Sequence, residues 1–516
     1  MTRTPRSWEL KALEERFASD RFEFLPVLGP RRVGKTTLLR EFFRGKRGAC
    51  FTGLEGGAQT NLRGLSAALF SGFGFSPPYG VFLSFEQALE YAFEQSLEER
   101  TVLILDDYQL LVRADPSVSS ILQHLIDRHK DASKLMLLIC GAPVDWMEAN
   151  VMGYCAALYG RRTGQLRVNP LGFFEARRLL PGLPSEDAAI LYGSVGGMPR
   201  HLARFAGETS AAEALKRHWF STDGCFFDEA MAMLRQEVRA LPTYVDTLAA
   251  LANGSTRLAD IARETKRPTA AVIKTLAALE LLDIVRKETP LGARISRQPR
   301  WRIADDMFRF WFRFILMDAD RIADMGPEAY LQSVEWALEK FMAPVFVRIC
   351  TEYLWHCRRL EKAPVPFRSA RRWWGRDERT KTEVEIDIVA EVGNDRTLFG
   401  ACRWTAKPVT EHVLLELDDL SRHHFRCRER HLWIFSRAGF TEGCVEAAKR
   451  KSNVRLVTFA EMVREVEAYE TLEAASDSDD PDDPDASGAV RPPRNKNPPG
   501  LSKTGGFLVQ GVSRSP

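Results

Sequence analysis

The run Gly29-Pro30-Arg31-Arg32-Val33-Gly34-Lys35-Thr36-Thr37 combines the residue types that hold phosphate. Glycines at 29 and 34 let backbone N–H groups turn inward around an anion, and Lys35 adds a charge that reaches phosphoryl oxygens. The Thr36 hydroxyl is a hard oxygen donor of the kind magnesium takes. The site is complete only if a strand enters the loop and a helix leaves it, because the helix N-terminus adds favourable partial charge. An apolar run over 22–28 precedes the loop and helix formers over 38–43 follow it. This is the full Walker A pattern in its required context.

Downstream, Thr101-Val102-Leu103-Ile104-Leu105-Asp106-Asp107 reads as a buried strand ending in two carboxylates. Asp106 is expected beside Thr36 as a second magnesium contact, with Asp107 one residue further on. The bland alternative is a strand exit bearing ordinary solvated carboxylates. Asp107 stands where enzymes with this loop usually carry a glutamate to polarise the attacking water. An aspartate is one methylene shorter and a general base must come within hydrogen-bond reach, so slow hydrolysis and a nucleotide-gated switch both stay open.

A second carboxylate set lies near the C-terminus. In Glu383-Val384-Glu385-Ile386-Asp387-Ile388 the acids alternate with apolar residues, so Glu383, Glu385 and Asp387 are expected on one face of a strand. Ala401 and Arg403 share a face of the strand that follows. The acids also fit a plain solvated strand face. Basic residues gather at Lys266, Arg267 and Lys274 and again at Arg294, Arg297, Arg300 and Arg302. They suit phosphate contacts on duplex DNA, or a solvated surface.

Around these residues, strand-like runs at 49–52, 102–105 and 135–139 alternate with helical patterns at 85–97 and 117–129, which implies a parallel sheet covered by helices. Helical patterns at 258–264 and 270–281 followed by an extended 283–288 give a winged-helix texture. A third segment holds the aromatic-rich 308–314, a helix over 334–355 and strands at 384–390, 397–404 and 432–436. After about residue 475 the chain turns to Ser, Asp, Pro and Gly, too poor in apolar residues to fold. The expected organisation is a core at 1–165, a helical lid at 166–235, a winged helix at 236–305, an α/β domain at 306–470 and a disordered tail at 471–516.

Composition narrows the class. The 516 residues exceed what one core usually supports, and 45% apolar with 27% charged residues is ordinary for globular chains. No apolar run nears the roughly 20 residues needed to span a bilayer, and no secretory signal follows Arg3 and Arg6, so a cytoplasmic protein without membrane contact is expected. Nine cysteines without a CxxC pair suit reduced thiols, and a net charge of +3 gives no general pull towards nucleic acid.

Taken in order, Gly29 to Thr37, LILDDYQLL (103–111), ALYGRR (157–162), Gly196-Gly197-Met198-Pro199-Arg200, WRIADDMFRFWFRF (301–314), and 385–390 with 400–404 resemble the archaeal-type ATPases. That family lies near the AAA+ and STAND ATPases and ends in a restriction-endonuclease-like domain of the DUF234 type. The resemblance implies an α/β P-loop NTPase sheet, a winged helix, a nuclease-like α/β domain, and ATP with Mg2+ as ligands. Gly29, Pro30, Arg31, Arg32, Val33, Gly34, Lys35, Thr36 and Thr37 would hold the nucleotide, Thr36 and Asp106 the metal, and Lys35 and Asp107 would serve catalysis. It makes Arg161 or Arg162 an arginine finger or sensor and Arg200 a sensor of the nucleotide, whereas the plain structural alternative has Arg161 and Arg162 cap a surface helix or pair with a neighbouring carboxylate. Cys140-Gly141-Ala142 departs from the serine-rich turn of relatives, which puts a polar sensor there in doubt. Relatives read GECKW where this chain has Gly400-Ala401-Cys402-Arg403-Trp404, so a metal ligand is missing and the lysine has become arginine. Val347 occupies a helix position where relatives carry glutamate, with Glu352 nearby. The implied nuclease site is degenerate, reduced to Glu385, Asp387 and Arg403, with an active DNA endonuclease supported by Glu385 the less favoured alternative. Besides ATP, duplex DNA is one partner the resemblance suggests. The alternative is a winged helix that only relays nucleotide state. A homo-oligomer or a partner protein remains open.

Overall fold

The computed structural model describes residues 6–74, 80–142, 144–238, 240–291, 299–392 and 395–477. Five strands form the first sheet: β1 (Glu23–Leu28), β2 (Gly48–Thr52), β3 (Thr101–Asp106), β4 (Leu135–Cys140) and β5 (Leu166–Arg167). Their order is β2-β3-β4-β1-β5 and every pairing is parallel. β1, β3 and β4 are buried along their whole length, as expected where helices cover both faces. Alternate residues feed two cores. Leu25, Val27, Val102, Ile104, Met136 and Leu138 face one, and Phe24, Leu103, Leu105, Leu137 and Ile139 face the other. Pro26 lies inside this central strand without an N–H to give. On the β5 side its neighbours Phe24 and Leu28 bond Thr163 and Val168, so the proline falls in the gap before β5 begins.

Beyond β5 the chain is mainly helical. Helices Leu241–Ala252, Leu258–Glu264 and Thr269–Leu281 lead into the antiparallel ribbon β6 (Val285–Glu288) and β7 (Arg300–Ile303). Arg294 and Arg297 lie outside the described residues. The helix Ala319–Arg359 kinks at Gly326 (φ +77), where Pro327 follows. A mixed sheet closes the chain: β8 (Ser369–Arg376), β9 (Glu383–Val392), β10 (Arg396–Arg403), β11 (Glu429–Ser436) and β12 (Val454–Thr458), in the order β12-β11-β10-β9-β8. β8, β9 and β10 pair antiparallel, whereas β10, β11 and β12 pair parallel.

Met1–Ala468 forms one compact unit. A single buried cluster runs from Leu171 through Trp219, Leu276, Phe310 and Phe346 to Val466. Position 235/236 falls inside the helix Glu229–Glu237, and 305/306 falls at the start of the helix Asp306–Phe314. Tyr469–Pro516 is a second unit, described only as the end of the helix Phe459–Asp477. Helix thus extends past 471, where the disordered tail was expected to begin, and residues 478–516 lie outside the described residues. Among the described residues no helix is long and apolar enough to cross a membrane.

Candidate functional site

The loop between β1 and the helix Lys35–Phe43 folds tightly because its glycines permit it. A Cβ at Gly29 would lie 2.3 Å from the Val168 carbonyl oxygen, and Gly34 adopts φ +93. The helix buries Leu38, Leu39 and Phe42 against the sheet, which fixes its N-terminus over the loop. Val33 is buried, and its carbonyl accepts a hydrogen bond from Arg6 at 2.9 Å. Lys35 turns back into the loop, donating from Nζ to the Gly29 and Pro30 carbonyls at 2.7 and 2.9 Å. Burial pushes this ammonium below its usual pKa. The Thr36 hydroxyl donates to Asp106 Oδ2 at 2.6 Å, and Asp106 Oδ1 accepts the Asp107 N–H at 3.0 Å.

These groups line a cleft of about 750 Å³ together with Arg31, Arg32, Thr37, Glu55, Asp107, Gln109, Pro199 and Arg200. Two adjacent oxygen donors from Thr36 and Asp106, beside a lysine and a helix N-terminus, fit a hard divalent cation carried by a polyphosphate. Asp107 takes a left-handed conformation (φ 46, ψ 43) at the start of the helix Tyr108–Ala114. Its Oδ1 accepts from Gln109 Nε2 at 3.1 Å, and Gln109 Oε1 accepts the Ala142 N–H at 3.3 Å. The turn after β4, lacking serine, is thus tied to Asp107 through a glutamine. Arg200 sits on the helix Pro199–Leu202, whose proline lies 3.7 Å from where a Gly34 Cβ would be.

Arg31 and Arg32 also meet a helix remote in sequence. Arg31 pairs with Glu237 and Arg32 with Glu229, at 2.5 Å, both acids on the helix Glu229–Glu237. A second cavity of about 260 Å³ lies beside them, walled by His201, Leu282, Asp283 and Phe308. The phosphate loop and the helix-and-ribbon segment thus border one cavity.

Within the chain, Arg161 and Arg162 do not reach the cleft. Arg161 makes a two-pronged pair with Asp127 at 2.9 and 2.6 Å and also donates to the Ala157 carbonyl. Arg162 donates to Gln165 Oε1 at 2.8 Å. Both guanidiniums are engaged by these local partners.

At the C-terminal sheet, the register between β8 and β9 slips between Arg371 and Trp373, leaving Asp387 and Ile388 opposite Arg372 alone. This bulge sends Ile386 into one core and Ile388 into the other, while Glu385 and Asp387 still line one cleft beside Arg372. The Asp387 carboxylate accepts the Cys402 N–H at 2.9 Å and Arg403 Nη1 at 3.0 Å. Burial pushes its pKa up, opposed by Arg403. Glu385 is held by Arg372 at 3.0 Å and Arg300 at 3.3 Å. Ala401 is 5% exposed in an apolar cluster. Val347 lines a cleft of about 440 Å³ with Glu385, Asp387 and Arg403. Glu352 does not compensate for it, because its carboxylate instead accepts the Phe173 and Phe174 N–H groups at 2.7 and 3.3 Å.

Residues 311–415 match the family model DUF234, described as archaea bacterial proteins of unknown function. Residues 311–415 thus carry a DUF234 domain. An uncharacterized protein of Methanocaldococcus jannaschii is 26% identical over 407 residues, covering 77% of this chain and 87% of its own. Among solved structures, the Walker-type ATPase of Pyrococcus abyssi is similar at 20% identity and a TM-score of 0.45, over 60% of this chain and 95% of that one. The Aeropyrum pernix ORC2 protein is similar at 13% identity and a TM-score of 0.40, over 63% and 97%.

Carboxylates engage several of the basic residues that suited either duplex DNA or a solvated surface. Arg300 of β7 reaches Glu383 and Glu385 at 3.3 Å, lies 4.8 Å from the Trp374 ring centroid, and Arg257 pairs with Glu383. Arg302 pairs with Glu288, and Arg267 with Asp246 at 2.6 Å. Sequence reasoning gave no role to Gln109, Glu55, Glu229 or Glu237. Gln109 stood inside LILDDYQLL, two places after Asp107. No spacing rule pointed to the three glutamates, which are brought in by the β2 turn and by a helix remote in sequence.

Proposed function

We propose that this chain is a magnesium-dependent ATPase whose nucleotide state is relayed to a winged helix and to a nuclease-like domain that no longer cuts. The single observation that carries this is the 2.6 Å contact between Thr36 and Asp106 at the mouth of the phosphate loop. Bound magnesium would bridge phosphate oxygens and neutralise charge as the terminal phosphoryl group leaves. The chain's own part is to cradle the phosphates with the loop N–H groups and to offer Lys35 once it leaves the Gly29 and Pro30 carbonyls. Arg200, for which no ion pair is found among the described residues, fits a nucleotide sensor. The pairs from Arg31 and Arg32 to Glu237 and Glu229 support the relay, since phosphates entering the loop compete for the same guanidiniums.

A second reading, a nucleotide-gated scaffold that hydrolyses rarely, is favoured by the short, glutamine-bound Asp107. DNA contact by the winged helix stays subordinate to both, because Arg257, Arg300 and Arg302 already face carboxylates. The degenerate state of the nuclease-like site is supported by Arg403, whose guanidinium occupies Asp387 where a cation would otherwise sit.

Steady-state phosphate release from ATP, with and without duplex DNA, for wild type beside Lys35→Ala tests the proposal. Turnover that needs Lys35 supports the ATPase, and a rise with DNA adds duplex DNA as a partner. Tight ATP binding without turnover supports the scaffold.

A further inference from the structure

Three carboxylates face the cleft, from Glu55, Asp106 and Asp107, and they are not equivalent. Both oxygens of Asp106 are engaged, one by Thr36 and one by the Asp107 N–H. Asp107 is held back by Gln109, which is itself tied to the Ala142 N–H. Glu55 is exposed to the cleft, and among the described residues its carboxylate has no hydrogen-bond or ion-pair partner.

The loop that carries Glu55 is a built structure. β2 ends with Thr52 in register with Asp106, and the Gly53 N–H donates to the Asp106 carbonyl at 2.8 Å. A Cβ at Gly53 would lie 2.7 Å from the Asp107 carbonyl oxygen, so the turn presses directly on the strand end that bears the acids. Beyond it, the fully buried Asn61 binds the loop from beneath. Its Oδ1 accepts the Leu54 N–H at 2.9 Å, and its Nδ2 faces the carbonyls of Leu54, Gly56 and Gly57 at 3.1 to 3.3 Å. One side chain therefore fixes the backbone on both sides of Glu55, while the side chain of Glu55 stays unengaged at the cleft. A glutamate also has the methylene that Asp107 lacks.

We propose that Glu55, supplied by the turn after β2, is the general base of this site, with Asp107 a positioning residue that Gln109 locks in place. This rests on the ATPase reading. In the step, the oxygen of a water attacks the γ phosphorus of ATP while one of its protons passes to the Glu55 carboxylate. The bond from the γ phosphorus to the bridging oxygen breaks, and its electron pair leaves with ADP. The products are ADP and inorganic phosphate, and the proton returns from Glu55 to solvent.

The test uses the full chain with magnesium and ATP, comparing wild type, Lys35→Ala, Glu55→Gln and Asp107→Asn for turnover, ATP affinity and the nucleotide retained after gel filtration. Glu55 is exposed, so the isosteric glutamine leaves the fold intact. Glu55→Gln is expected to lower kcat about 100-fold or more, to hold ATP affinity within about threefold, and to retain ATP where wild type retains ADP. Asp107→Asn is expected to lose less than about tenfold in kcat. Turnover that requires Lys35 yet survives Glu55→Gln within about threefold would overturn the Glu55 assignment alone. Turnover absent from wild type, or indifferent to Lys35→Ala, would overturn the ATPase reading and the Glu55 assignment with it.

Discussion

Thr36 on the helix after the phosphate loop and Asp106 at the end of β3 stand 2.6 Å apart, hydroxyl to carboxylate, across 70 residues of chain. The contact joins the two halves of the cleft and sets two hard oxygen donors side by side. Asp106→Ala should leave ATP binding measurable in the absence of metal and lower magnesium-dependent turnover by about 100-fold. Lys35→Ala should instead remove productive binding. Titration of a fluorescent ATP analogue with and without magnesium separates the two, and equal behaviour of both variants would contradict the division of labour.

The pairs from Arg31 to Glu237 and from Arg32 to Glu229 predict that neutralising the acids tightens nucleotide binding. Partly exposed pairs of this kind contribute about 0.2–1 kcal/mol each, so Glu229→Gln with Glu237→Gln should raise ATP affinity about two- to thirtyfold. The same double variant should cleave faster around residues 229–237 in limited proteolysis of the nucleotide-free protein. Unchanged affinity and unchanged protection would show that the pairs play no part in the relay.

If the basic ribbon is masked by the acids of β9, Glu383→Gln with Glu385→Gln should strengthen duplex DNA binding. Freeing Arg257 and Arg300 for phosphate should also steepen the salt dependence of binding by about one to two unit slopes. Fluorescence anisotropy with a labelled duplex over a salt series reads both. A variant that binds DNA no better than wild type would remove DNA from the partners of this segment.

Asp387 should be a structural residue. Replacing it with alanine leaves the buried Cys402 N–H without its acceptor and Arg403 without its partner, a loss of about 1–3 kcal/mol in unfolding stability. Plasmid incubated with manganese or magnesium should remain uncut by wild type and variant alike. Cutting by wild type alone would restore the nuclease.

Glu352 caps the N-terminus of the short helix Phe173–Ala176 from the long helix Ala319–Arg359, and burial pushes its pKa up to about 7 despite the two N–H donors. The folded form holds this proton more tightly than the unfolded chain, so stability falls as pH rises from near 4.5 to near 7. Glu352→Gln keeps an acceptor and removes the titration. Its melting temperature should exceed that of wild type at pH 8, by on the order of 1 kcal/mol of stability, and match it near pH 4. A constant difference across that range would assign the effect to packing.

The sequence by itself determined the loop, the strand that feeds it and the acid that faces Thr36. Gly29, Gly34, Lys35 and Thr36 act within one turn of chain, and a run such as TVLILDD can be buried only as a strand, so periodicity and composition suffice. It also gave the changed Ala401 and Arg403 and the order of elements in the later segments. What only the tertiary structure decided are the partners across long separations. Arg161 goes to Asp127, Arg32 to Glu229, Arg300 to Glu385 and Glu352 to Phe173 because packing brings these groups within reach, and no local pattern encodes such distances. The β9 bulge belongs to the same class: strict alternation predicts one face for Ile386 and Ile388, whereas the extra residue opposite Arg372 sends them into different cores. Glu55 remained illegible for a related reason, since its place at the cleft comes from the end of β2 lying beside β3 and from Asn61 beneath its turn.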